Sequence, residues 1–274
     1  MEAAGRASSS ESVSPDVWND ALARRSIEVD VPLVPLEAFG LNRLPEGMGL
    51  ENEGRLQTMR FGAEAHPFYD REHGVVYKFF DLRKKGTLGT LGKRIVLERV
   101  SGEDSPGIPE VERYSLRTVD ATLESTLEKL MFINDAGGHP TEIVGLTDGG
   151  HFLVAKQPVA VPISLKKKDF ERIRLEAIDN MKGVVIRRVH LQGLVVALWV
   201  GGKMSLMADL HTGNIMRDLD GKPTVIDALL GSVPAESLSN LPHLGFAFED
   251  AEALRKGDLP PARGELQDSP DDEL

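Results

Sequence analysis

The sequence predicts an α+β fold in two unequal parts, β-rich first and more helical after, on three observations. Val75-Val76-Tyr77-Lys78-Phe79-Phe80 is dense in β-branched and aromatic residues and reads as a strand inside a strand series. Val119 to Asp135 places apolar residues at 123, 127, 130, 131 and 133, the spacing of an amphipathic helix. Past Gln157-Pro158 the pattern changes, and a helical segment leads to an acidic loop, Asp209-Leu210-His211-Thr212-Gly213-Asn214.

The elements follow in order. Residues 1–28 are rich in Ser, Ala and charge and read as a disordered tail, with a short helix at Pro15 to Arg25. Residues 30–50, with Pro32, Pro35 and Pro45, form an irregular lead-in. Leu56 to Phe61 and Phe68 to Asp70 are strands, and Arg71 to Gly74 turns the chain into the strand that carries Lys78. Residues 81–115 are charged and Gly-rich and read as an insert-like loop around 101–109. Ile143 to Leu146 and His151 to Ala155 flank Asp148-Gly149-Gly150, a hairpin signal. Lys168 to Lys182 is a helix, and 184–200 is apolar and ambiguous between helix and strand. The expected division is a tail (1–28), a β-rich part (29–157), a smaller helical part (158–252) and an acidic, disordered tail (253–274).

Composition narrows the function class. The net charge is −11, and residues 250–274 hold eight acidic and three basic side chains, so direct nucleic-acid binding is not expected. The absence of Cys removes disulfides and thiolate metal sites and fits a reducing compartment. No run of 18 apolar residues and no signal-peptide pattern occurs, so a cytoplasmic protein without a membrane partner is expected.

The acidic loop carries the chemistry. Asp209 and Asn214 stand five positions apart, and Asp227 comes thirteen later, at the end of Thr224-Val225-Ile226-Asp227. The intervening residues read as strand, Asp220-Gly221 turn and strand, a hairpin that returns Asp227 to Asn214. One candidate base and two oxygen ligands for a hard cation thus meet at one end of a small sheet, the polar core of a phosphoryl-transfer site. His211 reads either as a further member of the site or as a residue that packs the loop.

Asp209 to Asp227 resembles the catalytic loop and metal-binding strand of the protein-kinase-like superfamily. Its Asp-Leu-His-x-Gly-Asn form is closer to the antibiotic-phosphotransferase-like branch. Over residues 50–230 the chain is most similar to the serine/threonine/tyrosine kinase domain of polyvalent proteins of phages and mobile elements. The resemblance implies a two-lobed protein-kinase-like fold with a β-rich N-lobe and a reduced helical C-lobe. It implies an ATP- and Mg²⁺-dependent phosphotransferase, a protein Ser/Thr/Tyr kinase, moving the γ-phosphoryl group to a hydroxyl.

The roles implied are these. Asp209 is the base, and Asn214 and Asp227 hold Mg²⁺. Lys78, in a Val-Tyr-Lys strand like V-A-I-K, holds nucleotide phosphates, although alone it also reads as a snorkelling Lys. Glu128 is its expected ion-pair partner on the helix, with Glu124, one turn earlier, as the alternative. Gly62 is what remains of a glycine-rich phosphate cover, and neighbouring Glu64 suits a triphosphate only if it points away. Lys156 and Gln157, between the lobes, are nucleotide-binding candidates through their backbone. Asp227 is followed by Ala228-Leu229 rather than Phe-Gly and no A-P-E follows, so regulation by an activation loop is not expected.

The acceptor is a protein or small-molecule hydroxyl, with the chain's own Ser8, Ser9, Ser10, Ser12 and Ser14 among the candidates. A nucleotide-binding module without turnover competes with this reading. A metal hydrolase built on Asp209, His211, Asp227 and His190 is a third.

Overall fold

The computed structural model describes residues 32–39, 56–59, 64–82, 91–100, 113–147, 151–164, 167–186 and 194–262. The expectations for the N-terminal tail and its serines, Gly62, the 101–109 loop, Asp148 to Gly150, His190 and the chain beyond 262 lie outside the described residues. The strands are β1 (Leu33–Val34), β2 (Leu56–Thr58), β3 (His66–Asp70), β4 (Val75–Asp81), β5 (Lys93–Val100), β6 (Arg113–Asp120), β7 (Glu142–Thr147) and β8 (Phe152–Pro158). They continue with β9 (Val161–Pro162), β10 (Val184–Ile186), β11 (Val195–Val200), β12 (Lys203–Ala208), β13 (Ile215–Arg217), β14 (Pro223–Val225) and β15 (Leu229–Ser232). The α-helices are α1 (Leu123–Asp135), α2 (Lys167–Asn180) and α3 (Pro242–Lys256). The architecture is mixed α+β.

A six-stranded sheet, in the order β1-β7-β8-β4-β3-β2, forms the N-terminal part. The period-two alternation of a strand sorts its side chains. Phe68, Phe79, Phe152 and Val154 pack with Phe39 on one face, where Phe79 meets Phe39 edge-on with centroids 5.3 Å apart. Phe80, Leu153 and Ala155 pack with Leu123, Leu127 and Leu130 of α1 on the other. Asp70 shapes the turn into β4, its Oδ1 accepting from the Glu72 and His73 amides (3.1 and 3.3 Å). A capping box between Thr122 and Ser125 starts α1, so residues 119 and 120 belong to β6 rather than to the helix.

The C-terminal part differs from the helical expectation. Its centre is a four-stranded sheet, β10-β11-β12-β15, with a helix on each face. Val196, Leu198 and Met207 face Phe170, Ile173 and Ile178 of α2, whereas Val195, Ala197 and Leu206 face Leu244, Ala247 and Phe248 of α3. Within the ambiguous 184–200 stretch, residues 184–186 and 195–200 are apolar because both faces of this sheet are covered.

Residues 93–100 and 113–120, on either side of the expected 101–109 loop, are strands. They form a long antiparallel pair whose Ile95 and Leu116 join the α3-side core. Gly231 permits this docking, since a Cβ there would lie 2.2 Å from the Ile95 carbonyl oxygen. Nor does an acidic tail begin at 253, because α3 runs through Lys256. In its last turn Arg255 donates to the carbonyls of Ala136 (3.1 Å), Met181 (3.0 Å) and Trp199 (3.3 Å), tying the ends of α1 and α2 together.

The two parts meet along α1. Phe132, Ile133 and Ala136 pack into the α2-side core, and the His139 amide donates to the Val225 carbonyl (2.9 Å). No helix among the described residues is long and apolar enough to cross a membrane.

His66 makes the fold acid-sensitive over a defined window. His66 is fully buried against Phe68, and burial pushes its pKa down to about 4 from 6.5. A lowered folded value means stability is complete above 6.5 and is lost as the pH falls towards 4. Urea melts across that range should show a loss of about 3 kcal/mol in the wild type that His66→Phe removes. An identical acid limb in the variant would refute the assignment.

Candidate functional site

The loop after β12 is built by its own backbone. Asp209 has a φ of +64°, a left-handed conformation that Asp tolerates better than most residues. Its carbonyl accepts from the His211 amide (3.0 Å) and from Asn214 Nδ2 (2.8 Å), which closes the turn. Asn214 Nδ2 also lies 3.2 Å from Asp209 Oδ2, so the two predicted residues are in direct contact. The Asp209 side chain is 46% exposed. His211 serves the loop: its Nδ1 accepts from the Gly213 amide (2.8 Å) and its Nε2 lies 3.7 Å from Asp209 Oδ1.

The β13–β14 hairpin then brings the chain back as its sequence predicts. Ile215 pairs with Val225, and the Ile226 amide donates to the Asn214 carbonyl (2.8 Å). Asp227 therefore follows directly on the residue hydrogen-bonded to Asn214. Asp227 Oδ1 accepts from the Ala228 amide (2.9 Å).

Lys78 arrives from the other part of the molecule. In β4 it shares the face of Phe80, and its Nζ donates to the Ile226 carbonyl (3.0 Å). Gln157 joins it there, with Nε2 donating to the same carbonyl (3.3 Å) and to Thr141 Oγ1 (2.7 Å). Asp209, Asn214, Ile226 and Lys78 are thus linked by consecutive hydrogen bonds.

Two expectations need correction. Glu128 does not reach Lys78. It lies with Glu124, Met131 and Asp135 on the exposed stripe of α1, opposite the buried stripe of Leu123, Thr126, Leu127, Leu130 and Ile133. Neither glutamate is the partner, because helix phase points both to solvent. Lys156 and Gln157 are not an irregular linker but part of β8, registered to Tyr77 and Val76. Lys156 pairs with Glu142 (2.6 Å), and Gln157 acts through its side chain. Glu64, whose direction the sequence left open, turns inward.

Lys129 is the site residue that sequence reasoning missed. It stands one position from Glu128 but on the buried side, three residues after Thr126 and four before Ile133. Its ammonium, 4% exposed, lies 3.0 Å from Asp227 Oδ1 and pairs with Glu64 Oε2. The only sequence signal was a Lys bordering an apolar stripe, which is ordinary for a snorkelling side chain.

Four charges of alternating sign therefore sit together: Glu64, Lys129, Asp227 and Lys78. Burial pushes Lys78 below its ordinary range, and Asp227 only partly offsets this. Burial opposes ionised Asp227 as well, but Lys129, Lys78 and the Ala228 amide outweigh it and hold the carboxyl low. Lys129 is raised against its burial by Asp227 and Glu64. Glu64 is raised, by burial and then by the nearby Asp227 charge.

Asn214 spends its amide nitrogen on Asp209, while Asp227 Oδ1 meets the Lys129 ammonium and the Ala228 amide. The side-chain oxygens of Asn214 and Asp227 are of the hard kind that Mg²⁺ takes. No cluster of three or more His, Cys, Asp or Glu side chains suited to a metal occurs among the described residues, so a hydrolase-type cage has no support there. No family model, curated protein or solved structure matches the chain.

Proposed function

We propose that the chain is an ATP- and Mg²⁺-dependent phosphotransferase that moves the γ-phosphoryl group to a hydroxyl, with a protein Ser, Thr or Tyr as acceptor. The observation that carries this reading is the meeting of Lys78 with the Asn214–Asp227 hairpin at the Ile226 carbonyl, at 3.0 Å. A strand lysine and a loop 148 positions later converge on the one spot where two oxygen ligands and a candidate base already lie.

In the proposed reaction the acceptor oxygen forms a bond to the γ-phosphorus as the bond to the β–γ bridging oxygen breaks, and ADP leaves with that electron pair. Asp209 orients the acceptor hydroxyl and takes its proton, which then passes to solvent. Lys78 holds phosphate oxygens. Asn214 and Asp227 would hold Mg²⁺, which neutralises phosphate charge when bound. Asn214 also fixes the Asp209 carboxylate through Nδ2.

A nucleotide-binding module without turnover is the second reading, favoured by the Lys129 ammonium already seated on Asp227. Incubation with γ-labelled ATP and Mg²⁺ separates the two. Label on the protein or on an added acceptor is expected in the wild type and absent in Asp227→Ala. ATP raising the melting temperature with neither label nor ATP hydrolysis would sink the transferase reading and leave the binding module.

A further inference from the structure

Glu64 occupies a place made for it. Its carboxyl passes over Gly92, where a Cβ would lie 2.3 Å from Glu64 Cδ. Gly92 has a φ of +81°, so both conformation and space there favour glycine. The Glu64 side chain is only 14% exposed and reaches the Lys129 ammonium, which it shares with Asp227. The cluster is thereby neutral: two ammonium groups and two carboxylates.

The two carboxylates on Lys129 are not equivalent. Asp227 sits between two ammonium groups and also accepts the Ala228 amide. Glu64 has Lys129 on one side, the repelling charge of Asp227 beyond it, and a long contact from the Lys93 amide (3.5 Å). Its ionised form is the less favoured of the two. Removing Glu64 from the cluster leaves one uncompensated positive charge, shared by Lys78 and Lys129, close to the two proposed Mg²⁺ ligands.

We propose that Lys129 is a second phosphate-binding cation beside Lys78, and that Glu64 is the anion that a nucleotide polyphosphate displaces when it binds. The inference rests on the phosphotransferase reading and adds to it a residue pair that sets affinity for the charged part of the nucleotide. Phosphate oxygens on Lys129 replace the carboxylate oxygens of Glu64, so the buried ammonium stays paired throughout. The freed Glu64 swings towards solvent from its seat over Gly92. Binding therefore includes a local exchange of anions, and its strength depends on phosphate charge rather than on the base or sugar.

The test is a calorimetric titration of the full chain with MgATP and, separately, with adenosine, for the wild type and Glu64→Gln. Glutamine keeps the shape and a hydrogen bond to Lys129 while removing the competing charge, and it leaves the Lys129–Asp227 pair intact, so folding is preserved. The expected result is MgATP binding about tenfold tighter in Glu64→Gln with adenosine binding unchanged. MgATP binding in the variant alone would support the same exchange in a stronger form. Equal or weaker MgATP binding in the variant, with the wild type binding well, would overturn the exchange and leave the phosphotransferase reading standing. An equal gain for adenosine would also overturn it, since an uncharged ligand displaces no anion. Absence of MgATP binding in both proteins would overturn the exchange and the phosphotransferase reading together.

Discussion

Asp209→Asn is expected to lower the proposed phosphoryl transfer by about 10²- to 10⁴-fold, the usual contribution of a positioned general base. The substitution isolates that role. Asn adopts the left-handed conformation at φ +64° as readily as Asp, and its side-chain oxygen still accepts from Asn214 Nδ2. The residue is exposed, so the fold has little stake in its charge. Affinity for MgATP should be unchanged, because the proposed role sets Asp209 against the acceptor and not the phosphates. Single-turnover transfer with saturating ATP, beside an ATP titration, checks both halves. Unchanged turnover removes Asp209 from the reaction, and a parallel loss of ATP affinity makes it a binding residue instead.

Lys129→Met destabilises the chain by about 3–5 kcal/mol, the range for removing one partner of a buried ion pair. Methionine matches the stem of lysine but leaves Glu64 and Asp227 facing each other without the intervening cation. The size of the loss reflects those stranded charges more than the strength of the original pair. Adding Glu64→Gln and Asp227→Asn to the variant should therefore recover most of it. Urea unfolding at neutral pH measures the difference, with Glu128→Ala on the exposed stripe as a control within about 0.5 kcal/mol of wild type.

The pH dependence gives a second check on Lys129. Its raised folded pKa means its contribution is complete below the ordinary 10.5 and is lost as the pH rises through the folded value. Asp227, held low, contributes fully above 3.8, and that contribution is lost as the pH falls through its folded value. The gap between wild type and Lys129→Met should therefore be widest between those limits and should narrow at both ends. A variant as stable as wild type across that range would mean that Lys129 is solvated rather than buried between carboxylates.

The sequence by itself determined the local pieces of this protein. The β4 strand, the turn at Arg71 to Gly74, the helix over Leu123–Asp135 and the hairpin from Asn214 to Asp227 depend on neighbouring residues, and alternation, periodicity and turn chemistry report them directly. The contact of Asp209 with Asn214 belongs here too, because five positions of loop suffice to make it. Where two covered faces erase the alternation, as in Val195 to Val200, local pattern does not separate strand from helix, and the sheet was legible only once α2 and α3 were in place. The long antiparallel pair of 93–100 with 113–120 went unread for a related reason. Its strands are charged on one side and find their apolar partners far along the chain, in β15 and α3. The charge that α1 turns towards Asp227 lay beyond sequence reasoning altogether. The expected ion-pair residues Glu124 and Glu128 neighbour Lys129 on one helix, and only the rotation of that helix against the sheet decides which charge turns inward. Burial then fixes the sign, since an ammonium, not a carboxylate, is what the Asp227 side of the cleft can hold.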